Sequence, residues 1–326
     1  MTIQSLIDLT DGSLQNEPTI QEIEGATVFP SKIEDGDLFI SSNQEDIETA
    51  LSRGAFAIIY DDDNIKIVNK DIAWIKVQSI QDASFKLLRY VMLEKEASFF
   101  LLNEHENSFL KMILLQKSNI TFISNDWRKA FEQILNSAKK LFVGTDKELM
   151  KRIKPDVKRL KSDVDGYIVD DSLFKTTFKV NGYIYQDKEL APFHIEHILK
   201  VVNFCEENEL PYSPDRVKYT KHFTPIFIDG SLNPTNSSKS EKVAIFTDNL
   251  QDINRAREYI KFKGTWIKSI VITPPKTKVE NITRPHWFET EDEVKDFLMN
   301  LHFNYAFIYS LDRTIQHTIK REYSLF

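Results

Sequence analysis

Glycine is sparse and widely spaced in this chain, and this spacing limits the structures that the chain can form. The 326 residues include nine glycines, and the smallest gap between any two is the eleven positions from Gly25 to Gly36. GxGxxG and GxxxxGK[ST] loops need two or three glycines within about six residues, because only glycine lets backbone amides crowd around a phosphate. The sequence therefore excludes both of these nucleotide-binding loops, and the GxSxG nucleophile elbow as well.

The composition is that of a folded globular protein. Hydrophobic residues make up 41% of the chain and charged residues 28%, which excludes disordered and fibrous proteins. At about 100–200 residues per domain, the length predicts two or three domains. The net charge of −7 argues against binding a nucleic-acid backbone through bulk charge, so we expect no nucleic-acid partner.

The sequence also favours a reducing compartment. Cys205 is the only cysteine, so no intramolecular disulfide can form. The N-terminal residues lack the basic and apolar regions of a signal peptide, and the chain has no run of about 18 apolar residues that could span a membrane. We therefore expect a cytoplasmic protein without a membrane span.

Short apolar runs alternate with amphipathic stretches along the chain, which is typical of an α/β protein. Three series of such elements predict three small α/β domains. The second series has the order of a small parallel sheet with right-handed crossovers. Between two later apolar runs, the dipeptide Asn181-Gly182 predicts a β-hairpin. The predicted domains are 1–95, 96–238 and 239–326.

Isolated motifs for catalysis or metal binding are weak. His194 and His197 stand three positions apart in a predicted helix, so both can face one side, but no third ligand follows at a motif spacing. Surface or capping roles are therefore favoured for both. His222 follows two lysines and suits either an anion site or a surface loop, and Cys205 suits a buried core position. From these motifs the sequence predicts no catalytic residue, no metal and no cofactor.

Two glycine-containing motifs carry a resemblance to a known family. Gly36 is followed by Asp-Leu-Phe, and Gly54 is the glycine of the pattern Ala-x-x-x-Gly-Ala. With these motifs, residues 27–60 resemble the N-terminal domain of Mur ligases, in particular the type that adds D-alanyl-D-alanine to UDP-MurNAc-tripeptide. Gly36 permits a tight turn into a strand and Gly54 a left-handed helix end. In the family this domain binds part of the UDP-linked precursor. The resemblance implies ligand-binding roles for Ser31, Lys32, Ser41, Ser42 and Asn43.

Two later stretches resemble the family in the same order. Residues 174–211 resemble the hairpin and following helix of the central domain, and residues 226–238 resemble the crossing into the C-terminal domain. The resemblance then implies a Rossmann-like third domain from Val243 onward. The further candidate ligand-binding residues that it implies are His194, Asp229, Ser231 and Asn233.

The position of the family's ATP site is altered. Mur ligases carry Gly-Thr-x-Gly-Lys-Thr after the first strand of the central domain, whereas this chain has residues 103–109, with Glu104 and Glu106 where phosphates would lie. Like charges repel a nucleotide there. About 90 residues separate this position from His194, so we expect a reduced central domain without ATP chemistry.

Three functional hypotheses follow. The preferred one is a non-catalytic Mur-ligase-like protein that binds a UDP-sugar-peptide precursor of peptidoglycan, or a protein of cell-wall synthesis. The second is an enzyme with relocated chemistry, which uses His194, Glu196 and Lys32 on a nucleotide-sugar or small acid in the cleft between the first two domains. The third is a pure protein–protein assembly module. The ligand, the partner and the oligomeric state stay open at this point.

Overall fold

The computed structural model describes residues 1–116, 119–237, 239–240, 242–264, 266–280 and 284–319. The helices in these ranges are α1 (Ile3–Thr10), α2 (Gln44–Ser52), α3 (Ile80–Lys95), α4 (Glu104–Ile113), α5 (Trp127–Leu135), α6 (Lys147–Ile153), α7 (Ile195–Glu207), α8 (Leu250–Lys263) and α9 (Glu291–Asn300). Short 3₁₀ turns occur at Pro30–Lys32, Pro192–His194, Pro214–Arg216 and Arg313–Thr318. Within this described part, none of the helices has the length and hydrophobicity that crossing a bilayer demands.

The strands of the described residues form four sheets. In chain order they are β1 (Ser13–Leu14), β2 (Ala26–Thr27), β3 (Leu38–Ile40), β4 (Ala57–Tyr60), β5 (Ala73–Lys76), β6 (Ser98–Leu101), β7 (Ile120–Phe122), β8 (Leu141–Gly144), β9 (Lys158–Arg159), β10 (Gly166–Asp171), β11 (Thr176–Val180), β12 (Tyr183–Lys188), β13 (Phe223–Ile228), β14 (Lys242–Thr247), β15 (Ser269–Thr273), β16 (His286–Trp287) and β17 (Tyr305–Tyr309). Strands and helices alternate through most of the chain. The predicted α/β class is confirmed.

The chain divides into two compact units. Unit 1 contains residues 1–103 and 116–160, and unit 2 contains residues 104–115 and 161–326. The central stretch is thus shared between the units, because its parallel strands belong to unit 1 whereas α4 and the hairpin belong to unit 2. The three domains 1–95, 96–238 and 239–326 stay a prediction.

Unit 1 contains two sheets that share one hydrophobic core. The first has the strand order β1-β5-β4-β3-β2, parallel except for β1, and the second is the parallel sheet β7-β8-β6-β9. Side chains alternate across β3, so Leu38 and Ile40 enter one core and Phe39 another. The core of Leu38 and Ile40 also contains Phe99 and Phe142, whose rings stack at 4.8 Å. This shared core explains why residues after 95 belong with the N-terminal sheet.

The backbone roles predicted for Gly36 and Gly54 are confirmed. Their φ angles are +95° and +97°, in the region that side-chain-bearing residues rarely adopt. The Gly36 amide donates a hydrogen bond of 3.0 Å to the Gly54 carbonyl. The turn into β3 and the end of α2 are therefore joined directly.

Unit 2 contains a hairpin sheet and a mostly parallel sheet. Asn181 and Gly182 have φ angles of +49° and +85° and join β11 to β12, which confirms the predicted hairpin. The sequence did not predict β10, a half-exposed third strand that pairs with β11. The larger sheet has the order β13-β14-β17-β15-β16, in which only β13 is antiparallel to its neighbour. Along β14, Ala244 and Ile245 face opposite hydrophobic cores.

Candidate functional site

Four histidines come together inside unit 2. The ring centroid of His105 lies 4.2 Å from that of His194, 5.5 Å from that of His197 and 5.6 Å from that of His222. All four side chains are buried. We call this group, together with the acidic side chains beside it, the histidine cluster. Its acidic members are Glu104, Glu106, Asp248 and Asp252.

Helical periodicity carries two of the histidines into the interior. His105 stands four residues before the buried Phe109 on α4, so both lie on one helix face. His197 stands four residues before the buried Val201 on α7, and α4 packs against α7. Burial of the apolar stripes of these helices therefore brings their histidines together.

Asp252 lies on the first turn of α8. The helix begins after Asn249, whose side-chain oxygen accepts a hydrogen bond of 2.9 Å from the Gln251 amide. A carboxylate in a first turn is stabilised by the helix dipole. The Asp252 side chain is only 1% exposed, so the capped helix start places a charge inside the protein.

His105 and Asp252 form the tightest pair of the cluster. His105 Nε2 lies 2.7 Å from Asp252 Oδ2, and His105 Nδ1 lies 3.2 Å from the hydroxyl of the buried Thr220. Burial opposes ionisation of Asp252, but the hydrogen bond from His105 and the nearby His194 ring outweigh it and hold the pKa of this carboxyl well below its usual range. Asp252 is therefore a carboxylate at neutral pH.

His194 differs from His105 in its bonding. Its Nε2 atom lies 3.3 Å from Asp252 Oδ2, farther than the nitrogen of His105, and no well-aligned hydrogen bond reaches this buried nitrogen within the part of the chain that the structure describes. Burial lowers the pKa of His194 to about 4, despite the opposing effect of Asp252. At neutral pH His194 is therefore a neutral imidazole beside a carboxylate.

The other two histidines of the cluster, His222 and His197, also lie beside acidic side chains. His222 Nδ1 lies 2.9 Å and 2.8 Å from the two carboxylate oxygens of Asp248, and its Nε2 lies 3.6 Å from Glu104 Oε2. His197 Nδ1 lies 3.7 Å from Glu106 Oε1. Imidazole and carboxylate groups in this arrangement can relay protons or hold a metal ion.

In unit 1, the residues that the Mur ligase resemblance implied lie at one edge of the first sheet. Ser31 and Lys32 follow β2, and Ser41 to Asn43 follow β3. The two strands are parallel neighbours, so both segments leave the sheet at its carboxyl edge, where α/β proteins commonly bind ligands. The structure thus places these five residues after two neighbouring strand ends, and their ligand-binding role stays a prediction.

Lys32 contacts a buried carboxylate at this edge. Its ammonium lies 3.3 Å from Glu132 Oε2, and Asn136 donates to the same oxygen at 3.1 Å. The other oxygen accepts hydrogen bonds from the Thr27 hydroxyl and from the Val28 amide, the latter at 3.0 Å. We call this group the Glu132 cluster. Glu132 is 4% exposed and Lys32 is 55% exposed, so the ammonium stays accessible to a ligand.

The other three residues at the edge have local bonding roles. The Ser41 hydroxyl accepts from the Asn43 amide at 3.1 Å, and Asn43 caps α2 by accepting from the Asp46 amide at 3.0 Å. The Ser42 hydroxyl bonds to the Asp61 side chain and accepts from the Asp61 amide at 3.0 Å. These contacts hold the strand ends in place.

Asp229, Ser231 and Asn233 form a turn. Asp229 Oδ1 accepts from the Ser231 amide at 2.8 Å and from the Asn233 amide at 2.9 Å, and these bonds from Asn233 and Ser231 lower the pKa of Asp229. The turn follows the last residue of β13, whereas His222 immediately precedes the first. Six strand residues span about 20 Å, so the structure does not bring this turn together with the histidine cluster.

Glu196 points away from the chemistry predicted for it. Its carboxylate pairs with Lys200 and is 57% exposed, whereas the neighbouring His194 is buried against Asp252. Lys32, the third residue of that hypothesis, belongs to unit 1. Its convergence with His194 stays a prediction.

Sequence reasoning missed His105 and Asp252. These residues stand 147 positions apart, so no motif spacing links them. A weak signal did exist, because His194 and His197 are spaced for one helix face and the chain has seven histidines in all. Only the packing of α4 and α8 against the turn before α7 identifies their shared partners.

Unit 2 also contains a large open cleft whose lining residues differ from those of the cluster. Its volume is about 980 Å³, and its aromatic lining includes Phe174, Phe227 and Tyr305. The Phe174 ring packs edge-on against Phe227 at 5.1 Å and against Tyr305 at 5.3 Å. Lys175 and Glu189 supply charges at this cleft. A cleft of this size has room for a small organic ligand.

Comparisons with known proteins support the fold. No family model and no curated protein sequence matches the chain. Among solved structures, the fold is similar to crystal structure I of MurF from Acinetobacter baumannii, with a TM-score of 0.54, 12% identity and 98% of each chain covered. It is also similar to the MurF ligase from Thermotoga maritima in complex with ADP, with a TM-score of 0.54, 12% identity, and coverage of 91% of this chain and 96% of that chain. The chain has a Mur ligase-like fold, and at this identity the likeness concerns the fold alone.

Proposed function

We propose that this Mur ligase-like chain binds a UDP-linked sugar-peptide precursor of peptidoglycan and does not consume ATP. The fold supplies the scaffold for such binding, and the residues after β6 argue against nucleotide hydrolysis. A protein of cell-wall synthesis is the alternative partner of the same scaffold. The proposal treats the chain as a non-catalytic relative of the ligases.

The observation that carries this proposal is the junction between β6 and α4. Only Leu102 and Asn103 separate the end of β6 from the start of α4, whereas a P-loop motif extends over about eight residues. Glu104 and Glu106 lie on the first turn of α4, and like charge weakens anion binding at a helix start. His105, on the same turn, is bonded to Asp252 rather than available to a phosphate.

The carboxyl edge of the first sheet is the ligand site that we propose. Lys32 offers an ammonium that is half exposed and that can pair with a diphosphate. Its own partner, Glu132, keeps it at the edge of the sheet. Glu45 and Asp46 on the first turn of α2 oppose an anion directly at that helix start, so we assign the charge contact to Lys32 instead.

Calorimetry with purified protein tests the proposal. We expect UDP-MurNAc-tripeptide to bind, and Lys32→Met to weaken this binding about tenfold, which corresponds to about 1.4 kcal/mol. Lys70→Met is the matched control, because Lys70 is an exposed lysine elsewhere in unit 1, and its affinity should equal that of the wild type. ATP should not bind at millimolar concentration.

Two results would contradict the proposal. The first is release of phosphate from ATP in the presence of the precursor and D-alanyl-D-alanine, which would restore ligase chemistry. The second is absence of binding for every precursor tested, which would leave the protein-partner hypothesis or the assembly module. Affinity purification with a tagged chain then separates those two, because a partner of cell-wall synthesis is expected only for the former.

The histidine cluster favours one second candidate function, an enzyme with relocated chemistry. A histidine bonded to a buried carboxylate is oriented for general acid–base catalysis, and His105 with Asp252 has this geometry. Within this hypothesis Asp252 replaces Glu196 as the acidic residue beside His194. A turnover of a nucleotide-sugar or small acid that is lost in His194→Ala would support it, and unchanged turnover in that variant would reject it.

A further inference from the structure

We propose that His105, His194 and Asp252 bind one divalent transition-metal ion inside unit 2, and that Zn²⁺ fits this site best. The three residues are on α4, on the turn before α7 and on α8. All three side chains are buried. The proposal does not depend on the precursor-binding function, because it concerns residues of unit 2 only.

The distances between the ligand atoms suit a metal ion. One nitrogen from each histidine and one oxygen of Asp252 all lie within 4.8 Å of one another. In tetrahedral Zn²⁺ sites with bonds of about 2.0–2.1 Å, neighbouring ligand atoms are about 3.3–3.5 Å apart. His194 Nε2 already lies 3.3 Å from Asp252 Oδ2, whereas His105 Nε2, at 2.7 Å from the same oxygen, has to move outward by about 0.6–0.8 Å.

The position of His194 Nε2 suits a metal ligand. Buried polar atoms in folded proteins are nearly always hydrogen-bonded, but no well-aligned hydrogen bond reaches the Nε2 of this 2%-exposed side chain among the described residues. The nitrogen nevertheless faces the Asp252 carboxylate. A cation between the two groups would coordinate the nitrogen lone pair and the carboxylate together.

Thr220 supplies the outer contact that metal-bound histidines normally have. Its hydroxyl lies 3.2 Å from His105 Nδ1 and accepts from the His222 amide at 3.3 Å. When the ion takes the place of the proton on His105 Nε2, that proton moves to Nδ1, and Nδ1 then donates to the Thr220 oxygen. The proton changes its position within the ring, so this exchange of tautomers releases no proton.

The donor set selects the class of ion. Two imidazole nitrogens and one carboxylate oxygen favour zinc and its first-row neighbours, whereas Mg²⁺ and Ca²⁺ require mostly oxygen ligands. Among the common ions Zn²⁺ binds nitrogen more tightly than Fe²⁺ does. Three protein ligands leave one tetrahedral position open for water or another small ligand.

Metal titration of the chelator-treated full chain tests the site. We expect one Zn²⁺ per chain by calorimetry and elemental analysis, a rise in melting temperature on Zn²⁺ addition, and no response to Mg²⁺. His194→Gln and Asp252→Asn should each weaken Zn²⁺ binding about 100-fold or more, and Thr220→Val about 10–100-fold. His302→Gln is the matched control, because His302 is an exposed histidine of unit 2, and it should bind as the wild type does.

Spectroscopy on the wild-type chain keeps the test decisive if a variant fails to fold. The Co²⁺-loaded protein should show the intense visible absorption of a four-coordinate ion, and X-ray absorption of the Zn²⁺ form should show two imidazole ligands. The proposal is overturned if folded wild-type protein binds no Zn²⁺ at micromolar concentration. It is also overturned if stoichiometric binding survives in both His194→Gln and Asp252→Asn.

Discussion

Units 1 and 2 each bury a cluster of charged side chains, and the clusters differ in how fully their polar atoms are bonded. In the Glu132 cluster both carboxylate oxygens are occupied, one by Thr27 and Val28, the other by Lys32 and Asn136. A carboxylate with four donors is complete and rigid. Such a group holds β2 and α5 together and leaves no position for an added ion.

The histidine cluster is incomplete by the same measure. Asp252 accepts from His105, but the adjacent His194 nitrogen lacks a hydrogen-bond partner among the described residues. Buried groups with unmade bonds are costly, and native proteins keep them chiefly where they serve a ligand or a reaction. The comparison indicates that burial of charge alone does not distinguish a structural cluster from a candidate ligand site, whereas the bonding of the buried polar atoms does differ between the two clusters.

The largest expected loss of stability is in the Glu132 cluster. Glu132→Ala leaves the Thr27 hydroxyl and the Val28 amide without their acceptor, so we expect a loss of about 3 kcal/mol or more in unfolding free energy. Urea denaturation measures it, with Glu17→Ala, an exposed glutamate of unit 1, as the control. A loss below about 1 kcal/mol would mean that the four bonds do not stabilise unit 1.

A smaller effect is expected for Asp252→Asn in metal-free protein. The amide can still accept from His105, but the charge-assisted part of that bond is lost, which costs about 2 kcal/mol. Unfolding in the presence of a chelator measures this loss, and Asp296→Asn, at an exposed position on α9, serves as the reference. Equal stability of the two variants would contradict the role of Asp252 as the centre of the cluster.

His194→Gln should cost still less without metal. Among the described residues Nε2 makes no well-aligned hydrogen bond, so the loss is mainly that of ring packing against Phe193 and Phe223, about 1 kcal/mol. The same variant should lose all stabilisation by Zn²⁺. Melting curves with and without the ion distinguish these two effects. A loss of stability larger than that of Asp252→Asn would mean that His194, rather than Asp252, contributes most to the stability of the metal-free cluster.

The smallest effect is expected for Lys32→Met. Lys32 is 55% exposed, and Glu132 keeps its other three donors, so removal of the ammonium should change the unfolding free energy by about 0.5 kcal/mol. Denaturation at low and high salt measures this change, which should shrink as salt rises. A large, salt-independent loss would show that Lys32 completes the cluster rather than remaining available to a ligand.

The sequence predicted those turns whose backbone conformation depends on one or two residues. The left-handed residues Asn181 and Gly182 set the hairpin, and Gly36 and Gly54 set the turns around β3. Each of these depends on the backbone freedom of one or two residues, which a sequence displays directly. The Mur ligase-like fold followed from the same motifs and from their order along the chain, and solved structures support it.

The alternation of apolar runs and amphipathic stretches thus determined the α/β class, and the glycine spacing excluded the GxGxxG and GxxxxGK[ST] loops, because both features depend on residues that are close in sequence. Tertiary structure alone decided which charged groups meet. His105 and Asp252 are 147 positions apart, and Thr27 and Glu132 are 105 apart. Such pairs form because the burial of apolar helix and sheet faces fixes where their polar neighbours lie, and no spacing rule within the sequence encodes that outcome.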